Sequence, residues 1–108
     1  MNKKDILIDI IQKQDLVGLK DFVKNEKDFT YDFTTLSGQT LLHLVASKLT
    51  SQTLGTIQIL LEKGIDPLAV DEKFKTALDI AKESNNIPAM TIMKHFINKK
   101  IQEQKTYF

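Results

Sequence analysis

Apolar residues recur at helical spacing in six segments of this chain, and polar residues fill the positions between them. Within each segment the apolar positions are three or four residues apart, which places them on one face of a helix. In approximate residue numbers, the segments are 6–11, 16–23, 41–46, 54–62, 77–81 and 88–97. The pattern predicts an all-α fold of six helices in three consecutive pairs, joined by turn-like or extended linkers.

Residues suited to capping mark the ends of these helices. The side-chain oxygens of Asp and Thr accept hydrogen bonds from the free N–H groups of a first helical turn. On this basis Asp5 and Asp15 are predicted to begin the first two helices, and Thr40 and Thr76 the third and fifth. Gly64 follows the fourth helix and suits a left-handed C-terminal cap.

Two nine-residue stretches repeat each other, 38–46 (GQTLLHLVA) and 74–82 (FKTALDIAK), and the stretch 59–67 (ILLEKGIDP) closes the middle unit. These residues resemble the ankyrin repeat, a unit of about 33 residues with two helices, a β-turn and a T-P-L-H-x-A signature. The resemblance implies a single domain over 1–108, folded as an ankyrin-type helical solenoid. The implied repeats cover about 4–34, 35–70 and 71–100, and a polar tail covers 98–108.

The chain departs from the ankyrin pattern mainly at its turns. Phe74 replaces the usual Gly, so its turn is expected to be distorted. Gln14 and Asn85 replace the Gly between paired helices, and Asn tolerates the left-handed conformation better than most residues do. The segment 47–56 is about three residues longer than the repeat pattern allows.

Composition and charge are those of an ordinary globular domain. The 108 residues are 42% hydrophobic and 27% charged, with a net charge of +1. That balance lacks the basic face of a nucleic-acid-binding protein, so no nucleic-acid partner is predicted. The apolar run at 6–11 is interrupted by Asp9 and is too short for a signal peptide or a membrane span. We therefore expect a cytoplasmic protein with no membrane partner.

The polar tail is expected to fray beyond the sixth helix, because chain ends with few apolar residues are poorly held. In the alternative, Ile101, Tyr107 and Phe108 fold back onto the body of the protein.

No constellation of residues points to catalysis. The chain has no cysteine, which excludes disulfides, thiolate zinc sites and cysteine nucleophiles. Its carboxylates are scattered, and no glycine-rich loop is present to cradle a phosphate. For His43 the resemblance implies bonds to backbone groups of neighbouring turns, and His95 is expected at the rim of the last helix. We predict no catalytic residue, no cofactor, no metal site and no enzymatic activity.

The resemblance places a partner-binding surface on the turn tips and the first helix of each unit. The predicted partner-binding residues are Leu36, Ser37, Gln39, Ser47, Lys48, Glu72, Lys73, Lys75 and Glu83, with Gln12 and Lys13 at the matching positions of the first unit. An apolar residue at a turn tip is a sign of a contact residue. For Leu36 the alternative is packing against Phe33 or Phe74. The long segment 47–56 is a second candidate surface.

These features predict a monomer that binds another protein and inhibits it. One form of the hypothesis is a bacterial immunity or antitoxin protein that neutralises a toxin. The alternative is a secreted bacterial effector or adaptor that engages a host protein, and the fold alone does not distinguish them. Co-purification with a toxic protein would favour the first, and translocation from the bacterium the second. A third hypothesis, an enzyme, requires a pocket with perturbed titratable groups.

Overall fold

The computed structural model describes the backbone of residues 2–105 and the side chains of residues 2–103. Tyr107 and Phe108, for which the sequence left folding back open, lie outside the described residues. The described part contains six helices and no strand, which confirms the all-α prediction. The helices are α1 (Lys3–Gln12), α2 (Leu16–Asn25), α3 (Leu41–Ala46), α4 (Thr53–Glu62), α5 (Ala77–Glu83) and α6 (Ile87–Lys105).

Side-chain caps begin five of these helices, including α6, where Asn86 accepts a 3.4 Å hydrogen bond from the N–H of Ala89. Asp15, Thr40 and Thr76 cap α2, α3 and α5, as predicted. The prediction for α1 is wrong, because Asn2 is the cap and its side chain accepts a 2.8 Å hydrogen bond from the N–H of Asp5. Asn caps as well as Asp does. Asp5 then lies in the first turn, where a negative charge interacts favourably with the helix dipole.

Left-handed residues reverse the chain between helices. Gly64, with φ of 89°, follows α4 as predicted. Gln14 separates α1 from α2 and Asn85 separates α5 from α6, with φ of 57° and 52°. Three-residue links of this kind hold the first and the third pair of helices antiparallel.

The helix pairs contact one another in chain order. α3 packs against α1 and α5, while α4 packs against α2 and α6. The two helices of each pair also pack together. The apolar faces predicted from residue spacing meet in one continuous core, whose fully buried members include Leu7, Ile11, Leu42, Val45, Ile57, Leu60, Ala81 and Met93.

The linker between α2 and α3 packs through its aromatic residues. Phe22, Phe29, Tyr31 and Phe33 form a chain of edge-to-face ring contacts with centroids 5.0–6.1 Å apart. The Tyr31 hydroxyl donates a 2.9 Å hydrogen bond to the carbonyl of Glu26. Burial of the phenol, together with the charge of Glu26, raises the pKa of Tyr31. This cluster fixes the path of the chain into the first turn.

The expectation that the tail frays from Asn98 onward is wrong within the described residues, because α6 continues through Lys105. The stretch 98–105 holds Lys, Gln and Glu, which favour a helix, and neither Gly nor Pro.

Candidate functional site

Two turns with the same geometry precede α3 and α5. In the turn 35–39, the N–H of Thr35 donates to the carbonyl of Gln39 at 2.9 Å, and that of Gly38 donates to Thr35. In the turn 71–75 the N–H of Asp71 donates to Lys75 at 3.0 Å, and that of Phe74 donates to Asp71. Gly38 and Phe74 are both left-handed, with φ of 79° and 61°. The predicted distortion at Phe74 is therefore wrong, because the phenylalanine adopts the conformation of the glycine.

Hydrogen bonds join the two turns. The N–H of Glu72 donates to the carbonyl of Ser37 at 3.1 Å. His43 is buried, and its Nδ1 accepts from the N–H of Thr40 at 3.0 Å. Since Nδ1 accepts, Nε2 carries the proton and donates to the carbonyl of Lys75 at 2.8 Å. Both ring nitrogens therefore bond backbone groups, which confirms the structural role expected for this histidine.

A short side chain supports each turn from within. Asp71 accepts hydrogen bonds from the N–H groups of Lys75 and Lys73, at 3.0 and 2.9 Å. These bonds, led by that from Lys75, hold the pKa of the Asp71 carboxyl below its usual value. In the first turn the hydroxyl of Thr35 accepts from the N–H of Gln39 at 3.2 Å. Both turns are thus fixed locally and present their outer side chains in defined positions.

The outer side chains of the two turns are apolar and exposed. Leu36 is fully exposed, and Phe74 retains 83% of its possible exposure. The alternative that Leu36 packs against Phe33 or Phe74 is therefore wrong. The Phe33 ring instead meets Phe29 and the ammonium group of Lys4. We call Leu36 and Phe74 the turn-tip pair.

Apart from Leu36, the predicted partner-binding residues lie in three places, of which two are near the turns. Ser37, Gln39, Glu72 and Lys73 surround one shallow depression of about 300 Å³ beside the turn-tip pair, together with Asp71 and Ile80. Lys75 and Glu83 form an ion pair of 2.8 Å along α5. The hydrogen bond and charge of Glu83 raise the pKa of Lys75.

Ser47 and Lys48 do not join this group. They follow the C-terminal end of α3, whereas the two turns precede the N-terminal ends of α3 and α5. The carbonyl of Lys48 accepts hydrogen bonds from the Thr53 hydroxyl and the Asn86 amide, at 2.7 and 3.0 Å. The segment after α3 is therefore tied to the body of the protein.

The sequence pattern did not predict that the Phe74 side chain is exposed. The signal was present, since an aromatic residue occupies the place that Gly38 holds in the preceding turn.

Elsewhere in residues 2–103, no three His, Cys, Asp or Glu side chains lie where they could together hold a metal ion. His95 is exposed on α6, as expected for a rim position. No described helix has both the length and the apolar character to cross a membrane.

The fold is thus that of an all-helical protein in which consecutive helix pairs are connected by two similar turns, and the turns are hydrogen-bonded to each other. A scan against protein-family models finds no match to the chain, and a search of the curated proteins finds no relative.

Proposed function

We propose that this chain is an ankyrin-type helical-repeat module that binds another protein through its turn edge. The turn edge consists of the turn-tip pair and the depression formed by Ser37, Gln39, Glu72 and Lys73. The repeat interpretation is supported by the matching turns, by the Thr caps of α3 and α5, and by the packing of corresponding helices in successive pairs.

The observation that carries this proposal is the backbone of Phe74. A left-handed conformation is unfavourable for a bulky residue, and Gly supplies it in the equivalent turn without that cost. An exposed benzyl group also gains nothing from the core. Phe74 therefore lowers stability through its backbone conformation and exposes an apolar ring to water. Contact between this ring and a partner protein explains both features.

A partner would meet two exposed apolar side chains, Leu36 and Phe74, beside a largely polar depression. Aromatic anchors surrounded by polar groups are typical of binding hot spots, where a few side chains supply most of the affinity. Glu72 and Lys73 beside Phe74 carry opposite charges, so the rim favours no strongly charged partner. We infer a protein surface with an apolar pocket as the complement.

The test is capture of the partner from lysate of the native cell, identified by mass spectrometry. We expect the wild-type protein to retain one stoichiometric partner, and the variants Phe74→Gly and Leu36→Ser to lose it. Val17→Ser is the matched control, because Val17 is 80% exposed but lies on α2, away from the turns. Retention by both turn variants would show that the partner binds another surface. Absence of any specific partner of the wild type would contradict the binding function.

The more specific proposal is that binding inhibits the partner, as a bacterial immunity or antitoxin protein inhibits a toxin. An effector or adaptor would bind through the same edge without neutralising its partner. The captured protein should therefore be expressed alone in a test host and then together with this chain. Growth arrest relieved by the wild type but not by Phe74→Gly would support inhibition, and a harmless partner would contradict it.

A further inference from the structure

A long groove runs between α4 and the C-terminal half of α6. It consists of two depressions of about 460 and 570 Å³. Both depressions are lined by Leu61, Glu62, Phe96 and Lys100, so they adjoin along the contact between α4 and α6, and we treat them together as the groove. From Ile92 to Ile101 along α6, its length is about 14 Å at the helical rise per residue.

The floor of the groove is apolar. Leu61 and Ile65 are buried beneath it, and Phe96 is half-buried. Leu68 and Ile101 line one end, and each keeps about half of its surface exposed. A helix binds a groove of this kind through apolar side chains at positions i, i+3 or i+4, and i+7, which span about 10 Å. The groove therefore has the length and floor for two to three helical turns.

The two rims of the groove differ in charge. The α6 rim carries Lys99 and Lys100, with His95 and Glu103 further along it. The ammonium group of Lys100 lies 5.5 Å from the centre of the Phe96 ring, directly over the floor. Lys99 is exposed and forms no ion pair in the described part of the chain. The opposite rim carries Glu62 and Asp66.

This charge pattern favours an occupant with carboxylates on one flank. Carboxylates beside Lys99 and Lys100 would meet two ammonium groups next to an apolar floor, where attraction is stronger than in open water. The acidic rim would repel the same carboxylates, so an acidic flank can face only α6. Charge thus fixes the orientation of the occupant as well as its sign.

We propose that the groove binds an amphipathic helical segment of a partner protein, with apolar side chains on the floor and an acidic flank against Lys99 and Lys100. This surface is separate from the turn edge, and the proposal does not rest on the function assigned to that edge.

The probe is a fluorescein-labelled synthetic peptide of about 14 residues, four helical turns. It carries Leu along one face, Glu along one flank and Gln elsewhere. Fluorescence anisotropy measures its binding to the full chain. We expect saturable binding that weakens with added salt. The double variant Lys99→Glu/Lys100→Glu should weaken binding at least tenfold, and Leu68→Asp should weaken it similarly by placing a charge at the groove end.

Two variants serve as controls. Val17→Asp introduces the same charge at an exposed apolar position outside the groove, and Phe74→Gly alters only the turn edge. Both should bind the peptide as the wild type does. Equal affinity of the wild type and the Lys99→Glu/Lys100→Glu variant would overturn the proposal. Absence of binding by the wild type at millimolar peptide would also overturn it. All the substituted positions are exposed, so we expect every variant to fold as the wild type does.

Discussion

Phe74 is less favourable for stability than Gly38, the residue at the equivalent position of the preceding turn. They occupy the same place in two turns that share the same hydrogen bonds and the same left-handed backbone. For Gly this conformation is nearly free, whereas a side chain with a Cβ meets the neighbouring carbonyl. The second turn keeps this shape because two hydrogen bonds hold it. The Asp71 carboxylate accepts from the N–H of Lys75, and the N–H of Asp71 donates to the carbonyl of Lys75.

Replacing Phe74 by Gly should therefore stabilise the protein. The strain relieved is larger than the added entropy of an unfolded Gly, and we expect a gain of about 1 kcal/mol. In thermal unfolding this is a rise of roughly 5 °C for a domain of this size. Lys73→Gly is the control, because Lys73 lacks a left-handed backbone and should gain nothing. A lower midpoint for Phe74→Gly than for the wild type would contradict the account of strain.

Two buried threonines on α4 give a second residue-scale prediction. The hydroxyl of Thr53 donates to the Lys48 carbonyl at 2.7 Å and accepts from the N–H of Thr50 at 2.9 Å. The hydroxyl of Thr56 is equally buried and has no hydrogen-bond partner among the described residues. Thr56→Val replaces an unsatisfied hydroxyl by a methyl group of the same size, and should stabilise the protein by about 1 kcal/mol.

Thr53→Val provides the opposite case with the same chemistry. It leaves the Thr50 N–H without its partner and the Lys48 carbonyl with Asn86 as its remaining donor, and should destabilise the protein by about 1–3 kcal/mol. Urea unfolding of the two variants measures both changes. The same sign of change in both would show that hydrogen bonding does not decide the effect at these positions.

At the scale of elements, the segment after α3 is held by a side chain from a distant turn. Asn86 lies between α5 and α6 and is fully buried. Its amide nitrogen donates to the carbonyls of Ala46 and Lys48, at 2.9 and 3.0 Å. The link between α3 and α4, residues 47–52, is longer than the links of the other two pairs. These hydrogen bonds hold it against the third helix pair.

Asn86→Ala should loosen this link. The Ala46 carbonyl loses its side-chain donor, the Lys48 carbonyl keeps only Thr53, and the N–H of Ala89 loses its cap. We expect a loss of about 2–4 kcal/mol in the free energy of unfolding. Limited proteolysis should then cut the chain within residues 47–52 faster than in the wild type. Asn98→Ala, at an exposed position on α6, should change neither quantity. Unchanged stability of Asn86→Ala would mean that the two bonds do not hold the link.

At the scale of the whole molecule, two carboxylates make the free energy of unfolding depend on pH. Asp71 accepts from the N–H groups of Lys75 and Lys73, and Asp79 accepts from the N–H of Thr76. These bonds lower the pKa of both carboxyls in the folded protein. The unfolded value is about 3.9. A lowered pKa adds stability above the unfolded pKa, and that stability is lost as pH falls through the folded pKa.

The variant Asp71→Asn tests this linkage. Its amide oxygen can accept the same hydrogen bonds but cannot gain or lose charge in this range. We expect the wild type to exceed the variant in stability near pH 6, and the difference to shrink as pH falls below about 4, through the lowered pKa of the folded protein. Urea unfolding across this range measures it, and Asp79→Asn should behave alike. A difference that stays constant with pH would contradict the role of charge.

The sequence by itself determined the helices and most of their starting points. Apolar spacing and capping are local properties, because a cap bonds a group three residues away and a helix face repeats every three to four residues. Asp15, Thr40 and Thr76 were found in this way. The start of α1 was missed because Asn2 and Asp5 are both suitable caps, and the earlier one adds a further helical turn.

Only the tertiary structure decided which surfaces the chain presents. The bonds from Glu72 to Ser37, from His43 to Lys75 and from Asn86 to Ala46 join residues 32 to 40 positions apart. No local pattern fixes such distances. The exposure of Leu36 and Phe74, the isolation of Ser47 and Lys48 from the turn edge, and the groove between α4 and α6 all depend on how helix pairs pack against each other. Packing between distant segments, and not propensity along the chain, therefore decides which surfaces the chain presents.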